Sequence, residues 1–261
     1  MLFDLHAHVT VDVPAQLARA RLAGVGRSVL LATRTHPEAP STLEGLRAEF
    51  ARLGAVVAGA RASSDEFERA TAELYAALDA HPGEVVGFAP VRLGLSAEET
   101  GGWLERQLAR PDVVGIGEVT PAPDRAQLIE PVLAAAAELG HVPVLVHGFA
   151  PNTAADLRSY AELAARFPRV PVVVGAFGGL NWLELLDLAL ERPNLYIDLS
   201  SALQVFAVRA AVRELPTRCL FGSNTPYGDV LAARATVEAA VTDPAVLELV
   251  LGGNLARLLA S

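Results

Sequence analysis

The chain has 261 residues, of which 52% are hydrophobic and 20% charged, a balance typical of a folded globular protein rather than a disordered one. Its formal net charge of -9, without any Lys/Arg-rich run, disfavours a nucleic-acid partner, because the phosphate backbone would be repelled. The single cysteine, Cys219, excludes an internal disulfide and a thiolate zinc cluster. No apolar run approaches the roughly 18 residues of a membrane span. The N-terminal MLFDLHAHV has no signal-peptide pattern, so we expect a cytoplasmic protein.

Short apolar runs alternate along the chain with longer amphipathic segments. In chain order, the predicted strands are Met1–His6, Arg27–Thr33, Glu84–Val91, Val113–Glu118, Val142–His147, Val170–Ala176, Asn194–Leu199 and Arg218–Ser223. Most are continuous runs such as VVGIG and VPVVV, the pattern of a strand that is buried on both faces of a parallel sheet. Between them lie segments such as Asp124–Gly140, whose apolar residues recur three and four positions apart, as on one face of a helix.

About eight strand–helix units predict an α/β fold that closes into a (β/α)₈ TIM barrel, with residues 1–261 as a single domain. A doubly wound open sheet is the competing architecture, but no GxGxxG or P-loop motif opens a helix. The run Ala55–Ala60 (AVVAGA) would be a ninth strand. We therefore interpret it as an extra element between the second helix and the third barrel strand.

Four potential metal ligands fall at the ends of predicted strands, where barrel enzymes build their active sites. His6 and His8 are two positions apart on the first strand, so both imidazoles face the same side. Glu118 ends the fourth strand and His147 the fifth. Three imidazoles and a carboxylate suffice for one divalent ion, zinc first, with manganese or iron as alternatives. The alternatives are structural histidines and a salt bridge from Glu118 to an arginine such as Arg92.

Three further residues are weaker candidates for substrate contacts. His36 follows the second strand and is either a substrate contact, an additional ligand or a surface histidine. Arg34 is able to pair with an anionic substrate group, or is simply an exposed arginine. Asp198, on the seventh strand, is a candidate proton acceptor.

With these residues in place, the chain resembles the amidohydrolase superfamily, particularly its amidohydrolase-related and TatD-like branches, over nearly its full length. The matching segments, in chain order, are DLHAHV, GIGEV, PVLVHG, VVVGAFGG, NLYIDLS, LFGSNTPYGD and GGNLARLL. The resemblance implies one or two divalent ions and hydrolysis of an amide, ester or phosphoester, or decarboxylation in some members. It also implies that His6 and His8 are the first-strand ligands. Glu118 matches a ligand able to bridge two ions, and His147 matches the fifth-strand histidine.

Two positions depart from the family pattern. Ala176 stands where the sixth strand usually ends in histidine, and Asn224 replaces the eighth-strand aspartate of GSD-x-P. Alanine supplies no ligand, and an asparagine amide cannot take up the proton of an attacking water. Help from a general base is worth roughly 10²–10⁴ in rate. We therefore expect one ion rather than two.

The leading interpretation is a metal-dependent hydrolase of a small molecule, with Asn224 and Glu118 at the catalytic positions. One alternative is a catalytically impaired amidohydrolase-like binding protein. Another is a lyase or decarboxylase, which needs no hydrolytic water. The apolar excess is compatible with a homo-oligomer, and equally with a large barrel core.

Overall fold

In the computed structural model, which describes residues 1–260, eight parallel strands pair in chain order. The strands are β1 Leu2–His8, β2 Val25–Leu31, β3 Val85–Ala89, β4 Val113–Val119, β5 Val144–Val146, β6 Val172–Val174, β7 Leu195–Asp198 and β8 Cys219–Leu220. The barrel closes where Leu5 N–H donates to Phe221 O (2.9 Å) and His8 N–H to Thr225 O (2.7 Å). The predicted (β/α)₈ barrel and its eight strands are thereby confirmed.

Helices connect successive strands on the outside of the barrel. They are α1 Val13–Leu22, α2 Leu43–Val57, α3 Ser64–Ala80, α4 Ala97–Leu108, α5 Glu130–Glu138, α6 Ala154–Arg166, α7 Trp182–Glu191, α8 Val205–Glu214, α9 Val230–Ala240, α10 Pro244–Glu248 and α11 Asn254–Leu258. Several begin at side-chain caps, as where Ser96 and Glu99 form a capping box at the start of α4. Among residues 1–260, no helix combines the length and apolar character that a membrane crossing requires.

The strands are buried on both faces, as their continuous apolar runs predict. One apolar cluster, including Leu5, Phe88 and Leu145, fills the barrel interior. A larger cluster lies between the strands and the surrounding helices. Cys219 is fully buried there, so its thiol is part of the core.

The run Ala55–Ala60 is neither a ninth strand nor a separate element between the second helix and the third barrel strand. Residues up to Val57 form the last turn of α2, and the chain then turns at Gly59. A ninth strand would need a free sheet edge, whereas β1 to β8 pair in order and hydrogen bonds join the β1 segment to the residues that follow β8. The helix instead begins at a Thr42 cap and contributes no fully buried residue. It lies at the C-terminal end of the barrel, over the cavity described below.

Candidate metal centre and active-site cavity

Three of the predicted ligands converge at the C-terminal end of the barrel. The Nε2 atoms of His6 and His8 lie 3.3 Å apart. Glu118 Oε2 lies 3.9 Å from His6 Nε2 and 3.7 Å from His8 Nε2. Both imidazoles are buried, and Glu118 is nearly so. Within residues 1–260, this is the single group of three or more His, Cys, Asp or Glu residues close enough to share a metal ion.

Asp198 fixes the orientation of the first ligand. Its Oδ2 lies 2.7 Å from His6 Nδ1, which places a proton on Nδ1 and fixes the ring so that Nε2 faces His8 and Glu118. The same carboxylate accepts hydrogen bonds from the backbone N–H groups of Ala176 and Ser200 (both 2.9 Å) and from Ser200 Oγ (2.6 Å). The polypeptide approaches closely here, since a Cβ on Gly222 would collide with Asp198 Oδ1. Asp198 is completely buried and acts through His6 rather than on a substrate.

His147 contacts the cluster but is not one of the three converging residues. Its Nδ1 lies 2.9 Å from Glu118 Oε1, whereas the other carboxylate oxygen, Oε2, is the one measured against His6 and His8. Its Nε2 is buried and has no hydrogen-bond partner, and the side chain lines the cavity. His147 therefore orients Glu118 and leaves a polar atom free for a ligand. Its assignment as a fourth metal ligand stays a prediction.

The two positions that depart from the family pattern both border the site. The backbone N–H of Ala176 donates to Asp198, so this residue supports the cluster through its main chain. Asn224 lies beyond β8 with φ = 53°, a left-handed conformation that asparagine tolerates better than most residues. Its Nδ2 donates to Ser201 Oγ (2.9 Å), while its buried Oδ1 has no partner. Asn224 thus presents a neutral oxygen at the position where the family places a carboxylate.

The buried charges interact strongly. Burial opposes protonation of His6, but the charge and hydrogen bond of Asp198 outweigh it and raise the pKa of His6 to about 9. Burial and the neighbouring His6 lower the pKa of His8 to about 4. Burial alone would raise the pKa of Glu118, but the adjacent imidazoles, His147 first, hold it well below its usual range. Glu118 is therefore an anion and His8 a neutral imidazole at neutral pH, the forms that bind a metal, whereas His6 has to release its Nε2 proton when a metal binds.

The cluster lies at the base of a cavity of about 1300 Å³, larger than most small-molecule pockets. Arg34 lines this cavity, as a substrate-contact residue would. His36 does not, because its ring lies between Glu38 and Glu73, 3.3 Å from a carboxylate oxygen of each. The alternative salt bridge between Arg92 and Glu118 is wrong. Arg92 instead donates to Ser64 and stacks on the Phe67 ring.

The donor set fits a divalent transition-metal ion. Zinc-type bonds of about 2.0–2.2 Å in a tetrahedral arrangement place neighbouring ligand atoms about 3.4 Å apart. The measured separations of 3.3, 3.7 and 3.9 Å are close to this value. Two imidazoles and a carboxylate are common ligands for zinc, manganese or iron. A ligating imidazole is usually hydrogen-bonded through its other nitrogen, as His6 is to Asp198.

Several residues of this site have positions that the sequence did not predict. Tyr227 stands edge-on to the His8 ring, at 5.5 Å between ring centroids, and donates or accepts a 2.7 Å hydrogen bond at Thr35. Arg61, Arg92 and Arg125 line the cavity beside Arg34. The loops that carry these arginines have no motif, so only the folded chain shows that they share one cavity.

Comparison with known families and structures places this geometry in context. The sequence profile described as Amidohydrolase matches residues 3–260. A comparison with curated protein sequences finds no match.

Solved structures share the fold at low sequence identity. The 5-carboxyvanillate decarboxylase of Sphingomonas paucimobilis is 17% identical, with a TM-score of 0.69 over 99% of this chain and 98% of that one. A dihydroxybenzoic acid decarboxylase of Polaromonas, solved with manganese and 2-nitroresorcinol, is 15% identical, with a TM-score of 0.70 over 99% and 96%. A candidate 2-pyrone-4,6-dicarboxylic acid hydrolase of Pseudomonas putida is 18% identical, with a TM-score of 0.63 over 99% and 97%. At such identities these likenesses establish the fold alone.

Proposed function

The chain belongs to the amidohydrolase family, and from that premise we propose that it is a metal-dependent enzyme acting on a small molecule. The observation that carries the proposal is the convergence of His6, His8 and Glu118 at the base of a large cavity. Histidines and a carboxylate buried together are costly unless each finds a partner, and a cation satisfies all three. We assign one ion to this site, because Ala176 and Asn224 remove a ligand from each half of a two-ion centre.

His6, His8 and Glu118 would hold the ion, with manganese and zinc as the first candidates. When bound, the ion would polarise a substrate oxygen and stabilise negative charge that develops on it. Asp198 holds the His6 ring through the hydrogen bond at Nδ1, so that Nε2 faces His8 and Glu118, the residues that would share the ion. Glu118 is oriented in turn by His147, so that Oε2 faces the histidine pair.

The reaction that makes the fewest demands on these residues is decarboxylation. It breaks the bond between the carboxyl carbon and the rest of the substrate, releases CO₂, and leaves an electron pair that must take up one proton. No residue has to deprotonate a water, so an asparagine at position 224 is no obstacle. The His147 side chain lines the cavity and its buried Nε2 has no hydrogen-bond partner, so we assign the proton to this nitrogen. Two structural neighbours are decarboxylases of aromatic acids, which is consistent with this choice.

Hydrolysis is the second candidate, and it was the leading interpretation of the sequence. The same unpartnered His147 Nε2 could accept a proton from an attacking water. Hydrolysis additionally requires that proton to be returned to the leaving group, and the residue that matches the family's usual proton carrier is Asn224. This is why we place decarboxylation first.

The test is turnover by metal-loaded protein. Purified protein reconstituted with Mn²⁺ or Zn²⁺ should release CO₂ from one or more hydroxybenzoic acids, detected with a coupled CO₂ assay. A parallel series with nitrophenyl esters and phosphodiesters tests the hydrolytic candidate. Turnover should disappear on chelation and return when the ion is restored.

Matched histidine variants separate the site from general effects. His8→Gln should abolish turnover and metal binding, whereas His36→Gln should retain both, because His36 lies outside the cavity. Absence of any turnover, together with absence of bound metal after reconstitution, would contradict the proposal. That result would support the alternative of an amidohydrolase-like binding protein.

A further inference from the structure

The cavity above the proposed metal centre is lined by arginines that the proposed metal site does not use. Its lining includes four arginines, Arg34, Arg61, Arg92 and Arg125. The lining has these four arginines against three carboxylates, Glu38, Glu118 and Asp229, whereas acidic residues outnumber basic ones by 30 to 21 in the whole chain.

None of these four arginines forms an ion pair with a carboxylate of residues 1–260. The arginines that do so lie outside the cavity: Arg19, Arg21, Arg52, Arg69, Arg110, Arg158, Arg166, Arg192, Arg213 and Arg234. The carboxylates in the cavity wall are engaged elsewhere. Glu38 accepts from Val11 N–H and contacts His36, and Asp229 caps α9 and pairs with Arg19. Glu118 belongs to the histidine cluster.

Three of the four guanidinium groups gather around one short segment, residues 60–64, which joins α2 to α3. Arg34 donates to the carbonyl oxygen of Ala60 (3.2 Å). Arg92 donates to the carbonyl oxygen of Ser64 (3.2 Å). Arg61 belongs to the segment itself and reaches back toward Gly94. Arg34 is half-buried, and burial lowers its pKa more than the nearby negative charge of Glu66 raises it. No ion pair within the described residues compensates for the loss of water around the Arg34 guanidinium.

The wall beside this segment is apolar. Leu46, Phe50, Leu53 and Val57, which are three or four positions apart on α2, all line the cavity. Phe50 remains 55% exposed, and no residue of α2 is fully buried. The helix thus presents an apolar face to the cavity rather than to the protein core.

We propose that the cavity binds a small organic anion whose carboxylate or phosphate is held by Arg34, Arg61 and Arg92, with its apolar part packed against α2. A planar guanidinium recognises either anion through paired hydrogen bonds. This inference rests on the proposed function in one respect: the reacting end of the substrate lies at the histidine cluster, so the arginines hold a second, non-reacting anionic group. The substrate class is therefore an apolar, most simply aromatic, molecule with two acidic groups.

Matched probes test this directly by calorimetric titration. Terephthalate has the second carboxylate that benzoate lacks, and 4-carboxyphenyl phosphate replaces it by a phosphate. We expect the doubly acidic probes to bind at least tenfold more tightly than benzoate, and the better of the two identifies the natural anionic group. Arg61→Gln and Arg34→Gln should remove this preference. Arg47→Gln, an exposed arginine of α2 that does not line the cavity, should retain it.

Titration of metal-loaded and chelator-treated protein separates this proposal from the metal proposal. If chelator-treated protein still prefers terephthalate to benzoate, the arginine site is supported even if the protein binds no metal. Equal affinity for benzoate and terephthalate in metal-loaded protein, or an undiminished preference in both arginine variants, would overturn the arginine site and leave the metal proposal intact. Phe50→Ala should lower the affinities for benzoate and terephthalate by a similar factor. Unchanged affinities would mean that α2 does not contact the bound ligand.

Discussion

Replacing Asp198 with asparagine should weaken metal binding without any change in a metal ligand. Asp198 Oδ2 accepts the His6 Nδ1–H at 2.7 Å and two further hydrogen bonds, while Oδ1 accepts the Ser200 N–H. An amide has the same shape, but it has no charge and only one oxygen. Loss of a carboxylate that supports a ligating histidine typically lowers metal affinity by roughly 10–100-fold, or about 1.4–2.7 kcal/mol.

The same substitution has a calculable effect on folding. In its better orientation the amide oxygen occupies the Oδ2 position, and its NH₂ group then faces the Ser200 N–H. One buried donor loses its acceptor, which costs about 1–3 kcal/mol of unfolding free energy. Urea unfolding of metal-free protein measures this loss, and competition with a chromophoric chelator measures the Mn²⁺ affinity.

Asp156→Asn is the matched control. Asp156 is also buried and accepts backbone N–H groups with both oxygens, from Asp124 (2.7 Å) and Thr153 (2.8 Å), but it contacts no residue of the cluster. It should lose a similar amount of stability and keep its metal affinity. A folded Asp198→Asn protein that binds Mn²⁺ as tightly as Asp156→Asn would refute the assigned role of Asp198.

Three further predictions follow from individual positions. Asn224→Asp restores a proton acceptor and should raise ester or phosphodiester hydrolysis by up to roughly 10²–10⁴-fold; an unchanged rate would mean that position 224 does not limit hydrolysis. Burial raises the pKa of the Cys219 thiol from 9.0 to about 12, so the unfolded chain loses this proton first. The unfolding free energy should therefore decline between pH 9 and 12, and it should decline less steeply in Cys219→Ala. Urea unfolding at several pH values measures this, and an equal dependence on pH in the two proteins would contradict it. Gly222→Ala should cost about 1–3 kcal/mol of unfolding free energy, because its Cβ collides with Asp198. Gly101→Ala, inside α4 where an added Cβ meets no atom within 4 Å, should instead gain about 0.5–1 kcal/mol, and thermal unfolding compares the two variants.

Much of the barrel could be predicted because its strands are continuous apolar runs of the length that a buried parallel strand requires. The His-x-His pair was recognisable for a related reason, since strand geometry alone puts His6 and His8 on one side. The strand order then placed Glu118 near them. These inferences depend on local periodicity and on the common direction of parallel strands, and both can be derived from sequence.

The remaining features depend on contacts between distant parts of the chain. Asp198 and His6 are 192 positions apart, and nothing near Asp198 in the sequence indicates that its carboxylate turns inward to an imidazole. The direction of the His147 ring is likewise a rotamer choice, so sequence could not show that Nδ1 contacts Glu118. Ala55–Ala60 was misread because a short apolar run is compatible with strand or helix, and the closed barrel decides between them.

The most direct test of the metal centre is a crystal structure of the protein grown with Mn²⁺, with anomalous diffraction data. We expect a single strong anomalous peak about 2.0–2.3 Å from His6 Nε2, His8 Nε2 and a Glu118 carboxylate oxygen. Crystals that contain manganese elsewhere, or none at all, with these three side chains still in mutual contact, would contradict it.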